Sequence, residues 1–397
     1  MTINLKLTAC VLAFFASTAT ADEVSEKVTS TVDKCVERGC SSLNFKIKGL
    51  TAIPDAAINL PGIKSLALDA REISDLTALS QMVWLDDLDL KAQTADLSVL
   101  AGLTGLKQLV MNAEAVPDFT PLSTLTGLDT LTIGGGEFSD LTLLSAIKGL
   151  ERLSINGTKV TDLTVLAGLP ALKELQIGNT DIVDLSPLAG LSNIALLQAN
   201  ASGINDLSPI AGAPNLMDLR IGRTKVADLS PLSASPRLMR LMIADTMVAN
   251  IWSLTGLHQL EQLDAPGTSI TDLSPLAGKK RLRSIDLSRT EVADITPLGT
   301  APALQSIGLG RTKVSDITAL GQLTRLESLS IDRTAVTDIS ALAQVATLRS
   351  LDLTETAVTD LSPLMELKEL KSLRLGKDHT FPADQVAELE ARGVRLR

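Results

Sequence analysis

The stretch LKELQIGNTDIVDLSPLAGLSN, residues 172–193, holds two different patterns in twenty-two residues. In its first part Leu175 and Ile177 alternate with polar Glu174 and Gln176, which is the period-two pattern of a strand with one buried face. In its second part Asp184 follows a β-branched pair and precedes Leu-Ser-Pro-Leu, where the chain turns into a short helical segment. The frame then repeats. Its aspartate stands at Asp75, Asp96, Asp118, Asp140, Asp162, Asp184, Asp206, Asp228, Asp272, Asp294, Asp316, Asp338 and Asp360, with Asn250 filling the one gap, in steps of 22 residues and a single 21.

A fixed period of this length marks a solenoid, whose units bury their apolar side only by stacking on one another. Successive strands then lie parallel, about 4.8 Å apart. The aspartate reads as a backbone device. Its carboxylate can accept the free N–H groups at the start of the helical turn, and a proline three positions later, as at Pro187 or Pro275, is tolerated because first-turn amides have no partner there. Asn250 caps equally well but is a poor catalytic carboxylate, and the G-G-x-G-x-D pattern of calcium-binding solenoids is missing. Ten hydroxylic residues, from Thr158 to Thr356 with Ser202 among them, form a second column after the strand, suited to backbone groups freed at the bend. The formal net charge of −10 is therefore mostly structural: thirteen capping aspartates outweigh it, so acidity says little about partners.

The spacing L-x-x-L-x-I-x-x-T-x-I-x-D-L-S-P-L-x-x-L resembles the bacterial leucine-rich repeat of the internalin type over residues 61–376, about fourteen repeats. The resemblance implies an α/β leucine-rich-repeat solenoid, a right-handed horseshoe with a parallel β-sheet on its concave face and short 3-10 or helical turns on its convex face. It further implies recognition of other proteins. In place of the usual asparagine column this chain carries threonine, which leaves the turn geometry open.

The ends differ from the array. Residues 1–21 combine Lys6, an apolar run from Leu7 to Ala16 and an A-x-A site at Ala19 and Ala21, the composition of an export signal cut before Asp22. The sequence thus predicts an exported protein, periplasmic or secreted, with no membrane insertion after cleavage; a lipoprotein reading of Cys10 leaves too short an apolar stretch. Cys35 and Cys40 then remain as a pair in an oxidising compartment and predict one disulfide, in a helical cap over residues 22–60 whose Val24, Val28, Val32 and Val36 share a face. Residues 377–397 read as the second cap, with Pro382 near a helix start, Val386 and Leu389 on one face, and Gly393 as its stop. Unlike wall-anchored internalins, the chain is expected to have no sorting tail.

No enzyme assembles from this pattern. Neither a nucleophile with a base, a metal set nor a complete phosphate loop occurs, so no catalytic residue, metal or cofactor is expected. GLGRTK at 308–313 lacks the full phosphate-loop motif, and the column Ser284, Ser306, Ser328, Ser350 and Ser372 has no histidine beside it. What remains is a binding surface on the exposed strand residues and the strand-end turn. Candidate ligand-binding residues are Leu196, Arg220, Met242 and Asp264 on the strands, and the row Arg223, Arg289, Arg311 and Arg333 at the turn, which neighbours such as Asp332 and Glu291 can neutralise. The array is irregular in the middle, where Ala199 and Ala265 occupy core positions, Met217, Met239, Met242 and Met247 gather, and Trp252 appears; rule-breaking positions are where function tends to sit. KKRLR from Lys279 reads as a solvated turn. The expected partner is a protein; the alternative is a structural or a polyanion- or glycan-binding envelope component, and no nucleic acid is expected. Four Phe and two Trp beyond the signal, and no Tyr, leave few aromatic anchors.

Overall fold

The computed structural model describes residues 21–60, 62–92, 96–113, 116–376 and 381–397; the expected export signal lies outside the described residues but for Ala21. Seventeen short strands pair in sequence order into one parallel sheet. Within the array the pairings advance by the repeat, as in Leu175 with Leu197 and Leu197 with Leu219, while the first and last strands join it with steps of 23, Ser42 with Ser65 and Ser372 with Arg395. The single 21-residue step keeps register too, pairing Leu88 with Leu109. The coils wind right-handed into a horseshoe, with 3-10 turns of three to five residues opposite the sheet.

The stack is held by aliphatic ladders. In the coil quoted above, Leu172, Leu175, Ile177, Ile182, Leu185, Leu188 and Leu191 are all buried, and the same columns are buried in neighbouring coils. Each such side chain contributes about 1.5–3 kcal/mol relative to exposure, which is how a core with hardly any aromatic residues stays together. Ala199 and Ala265 are fully buried within it.

All fourteen members of the aspartate column act alike. A side-chain oxygen of each, Asn250 included, accepts the backbone N–H two residues on, at 2.7–2.9 Å. This is an Asx turn: the carboxylate takes a backbone amide at the start of the helical turn, from one residue ahead of the cap position. Except at Asp140, the residue after the aspartate occupies the cap position, and one amide per coil is captured. The reason is length: these 3-10 segments are so short, and so often carry proline in their first turn, that few free amides are left. The hydroxyl of Thr164 and then its N–H hold Asp162 below the ordinary aspartate value, and the same order holds at Asp206, Asp228, Asp272, Asp294, Asp316 and Asp360. At Asp75, Asp118 and Asp184 the N–H contributes first.

The hydroxyl column works inside one coil. Each of its ten members, from Thr158 to Thr356, donates to the carbonyl three residues back at 2.6–2.8 Å. That bond closes a bend whose preceding residue has left-handed backbone in every coil from Gly157 to Glu355, at φ between 53° and 70°. Glycine or asparagine adopts this conformation most easily, yet four of the positions are Arg223, Arg289, Arg311 and Arg333.

Lys279 overturns the solvated-turn reading. It is 3% exposed, and its ammonium donates to the carbonyls of Leu254, Thr255 and Leu257 at 2.6, 2.8 and 3.1 Å. The Leu254 and Leu257 carbonyls already accept backbone N–H groups, and the ammonium takes up their second lone pairs together with the Thr255 carbonyl. Arg392, past the helix Ala383–Ala391, does the same for Leu364, Met365 and Leu367 of the last full coil. At the other end the helix Ala21–Arg38 precedes the strand Ser42–Phe45, and Cys35 and Cys40 form a disulfide.

Candidate recognition surface

Alternation along each strand sends one side chain inward and the next onto the open face of the sheet. Over the C-terminal coils that face is smooth: Ser284, Ser306, Ser328, Ser350 and Ser372 stand in direct register, so each serine has serines for neighbours and no base. Beside them Asp264, Asp286, Gly308 and Ser330 line a shallow depression. Burial, and then Asp286 and Asp245, push the Asp264 carboxyl above its ordinary value. Gly308 and Gly310, the glycines of the phosphate-loop-like stretch, are overhung by the carboxylates of Asp286 and Asp332, which would repel a phosphate. Among the described residues no group of three or more His, Cys, Asp or Glu is placed to hold a metal ion.

The middle coils break this surface. In the column just before the strands most coils carry a charge, as at Lys173, Glu261, Arg283 and Glu327, but three successive coils carry Ala195, Met217 and Met239. Their backbones are joined in order: Met217 N–H bonds to Ala195, and Met239 N–H to Met217. Leu196 and Met242, both half-buried, extend the apolar patch onto the sheet face. Within it lies Asp218, only 1% exposed. Its Oδ1 accepts from Arg220 Nε at 2.9 Å, and its Oδ2 accepts from Arg220 Nη2 at 2.8 Å and from Arg240 Nε at 2.7 Å. Burial pushes the Asp218 carboxyl up, but the two arginines outweigh it and hold it below the ordinary value.

Four of the candidate residues, Leu196, Arg220, Met242 and Asp264, thus share one face across four adjacent strands. The arginine row lies apart, at the left-handed bend. Its neutralising partners differ from those expected: Arg289 pairs with Asp245 at 2.9 Å and Arg333 with Glu355 at 2.7 Å, whereas Glu291 pairs with Lys313 and Asp332 accepts from Ser330. Trp252 opens a 3-10 turn away from the sheet, 58% exposed. Asp218 and Arg240 escaped the sequence reading. An Asp with Arg two and twenty-two residues later was their signal, and it is visible only once the register is known.

No family model and no curated protein sequence matches the chain. Solved structures do. The chain is a leucine-rich-repeat solenoid. It is similar to an internalin, InlF, from Listeria monocytogenes, at 28% identity and a TM-score of 0.65, over 83% of this chain and 94% of that one. A leucine-rich-repeat protein of Leptospira interrogans gives a TM-score of 0.67 at 15% identity, over 92% of this chain and 98% of that one. A plant peptide hormone receptor, RGFR1, solved in complex with RGF2, gives 0.60 at 14%, over 92% and 71%. The last two likenesses concern the fold alone. No helix among the described residues is long and apolar enough to cross a membrane.

Proposed function

We propose that this chain is an exported recognition protein that binds another protein through the middle of its concave sheet face. The observation that carries the reading is the grouping of Ala195, Leu196, Met217, Met239 and Met242 on three successive coils around the Asp218 arginine pair, where the adjoining coils carry mostly polar and charged side chains at the same positions. Protein interfaces are enriched in Met and Arg at their centres, and adaptable methionines supply contact area where aromatic side chains are scarce. The peptide hormone complex of a receptor with this fold supports binding as a use of the scaffold. Export is supported by the Cys35–Cys40 disulfide, a bond of oxidising compartments, and by the composition of residues 1–21.

The test is crosslinking capture from the native envelope or culture fluid, with the wild-type chain and Met242→Asp as paired baits. A protein partner should be lost with Met242→Asp and retained through moderate salt. Capture that ignores the substitution removes this face from the interaction. Binding that collapses between low and moderate ionic strength points instead to an acidic polymer.

A further inference from the structure

The pair of arginines on Asp218 is more than the fold requires. Three coils further along, Ser284 and its four successors fill the same strand position with a hydroxyl, so the sheet closes without an ion cluster there. A buried carboxylate with its cations is a weak source of stability, because desolvation offsets most of the attraction. What Asp218 does supply is order: it fixes two planar guanidiniums on the open face, with 33% and 45% of the Arg220 and Arg240 side chains exposed. Arg240 spends only Nε on Asp218, and its two terminal nitrogens have no hydrogen-bond partner among the described residues. Two cations share one buried anion, which leaves a single net positive charge.

The charge pattern along the face selects the ligand. Glu174 stands two coils before Asp218 on the same strand position, and Asp264 two coils beyond Arg220, each about 10 Å away at the spacing of parallel strands. Asp286 follows in the next coil. An extended polyanion seated on the arginines would run over carboxylates in both directions. A lone carboxylate would not. In register Arg240 stands between Asp218 and Gln262, and Arg220 between Gln198 and Met242, with Leu196 beside Asp218 and with Met217 and Met239 just ahead of the strands; a partner seated on these apolar side chains would cover the arginines and so strengthen a hydrogen bond made there.

We infer that Arg220 and Arg240, positioned by Asp218, receive one aspartate or glutamate side chain of the partner, inside the apolar patch, and that Asp264 and Asp286 receive a basic side chain presented further along. This rests on the reading of the face as a protein-binding surface and adds the partner's chemistry: acidic, apolar and basic, in that order toward the C-terminal coils. Arg240 contacts the ligand directly, while Asp218 acts as a positioning residue.

The probe is a random twelve-residue peptide display library selected on the full chain. Enriched peptides should share an acidic residue beside an apolar one with a basic residue beyond, and should bind Arg240→Gln at least about tenfold more weakly. Arg240→Lys should fail to restore binding, because an ammonium lacks the fork that meets a carboxylate. Asp218→Asn should weaken the acidic peptide but not its Glu→Gln version, a difference that general loss of structure would not produce. Arg240 is exposed, so its variant folds even where Asp218→Asn does not. An empty selection, peptides without the acidic residue, or equal binding to Arg240→Gln overturns the inference. If Met242→Asp abolishes partner capture while the peptides ignore Arg240, only the carboxylate receptor is lost; if Met242→Asp changes nothing, the face itself was misassigned.

Discussion

Thr246→Val asks whether the hydroxyl column holds the coils by hydrogen bonding or merely by filling space. Thr246 is 6% exposed, and its Oγ1 donates to the Ile243 carbonyl at 2.7 Å. Among the described residues this hydroxyl is the donor that serves that carbonyl. Valine keeps the shape and removes the donor, so the cost is a lost bond plus a buried acceptor left without a partner, about 1–3 kcal/mol. The added methyl returns at most about 0.8 kcal/mol. The net is up to about 2 kcal/mol of destabilisation, confined to one coil. Thr246→Ser keeps the bond, as the natural Ser202 does at 2.7 Å, and loses only the methyl, about 0.8 kcal/mol. Because a long repeat array need not unfold in one step, a local readout is required. Hydrogen exchange followed by mass spectrometry over residues 240–260 supplies it. Exchange in Thr246→Val should run faster than wild type by up to about 30-fold, and Thr246→Ser should fall between them. If apolar burial governs the column instead, the order reverses, with valine neutral or protective and serine the more damaging. That reversal would refute the reasoning.

Three further outcomes follow from the same structure. Asp272→Asn should leave the melting temperature nearly unchanged, because Asn250 already performs the turn with an amide oxygen, whereas Asp272→Ala should lower it; equal effects of the two would contradict the Asx role. The carboxyls held below the ordinary value in the capping column, and Asp218 with them, give stability that is fully present above the unfolded aspartate value of about 3.9 and is lost as pH falls through their lower folded values; melting temperatures should therefore stay level from neutral pH to about 5 and drop below about 4. Lys279→Met should cost about 1–3 kcal/mol by stripping an ammonium from three carbonyls, while Lys279→Arg should be tolerated, as Arg392 serves the equivalent carbonyls at the end of the array; thermal melts of the two variants decide it.

Most of the solenoid is legible along the chain because its rules are local. Alternation around Leu175 and Ile177, the aspartate two residues ahead of the amide it captures, and the twenty-two-residue step are all contained within a single coil, so the sequence by itself determined the strand, the turn, the parallel stack and the buried ladders. The recognition surface is another matter. Whether Asp218 points at solvent or lies under two guanidiniums depends on Arg240 in the next coil, and whether Lys279 is a surface cation depends on three carbonyls more than twenty residues earlier. The left-handed bend likewise sets Arg223, Arg289, Arg311 and Arg333 apart from the sheet face, although they and Arg220 look alike in a linear reading. Charge, burial and pairing are properties of what stacks beside a residue. Only the tertiary structure brings those neighbours together, and it alone decided which of the many arginines and aspartates form a site.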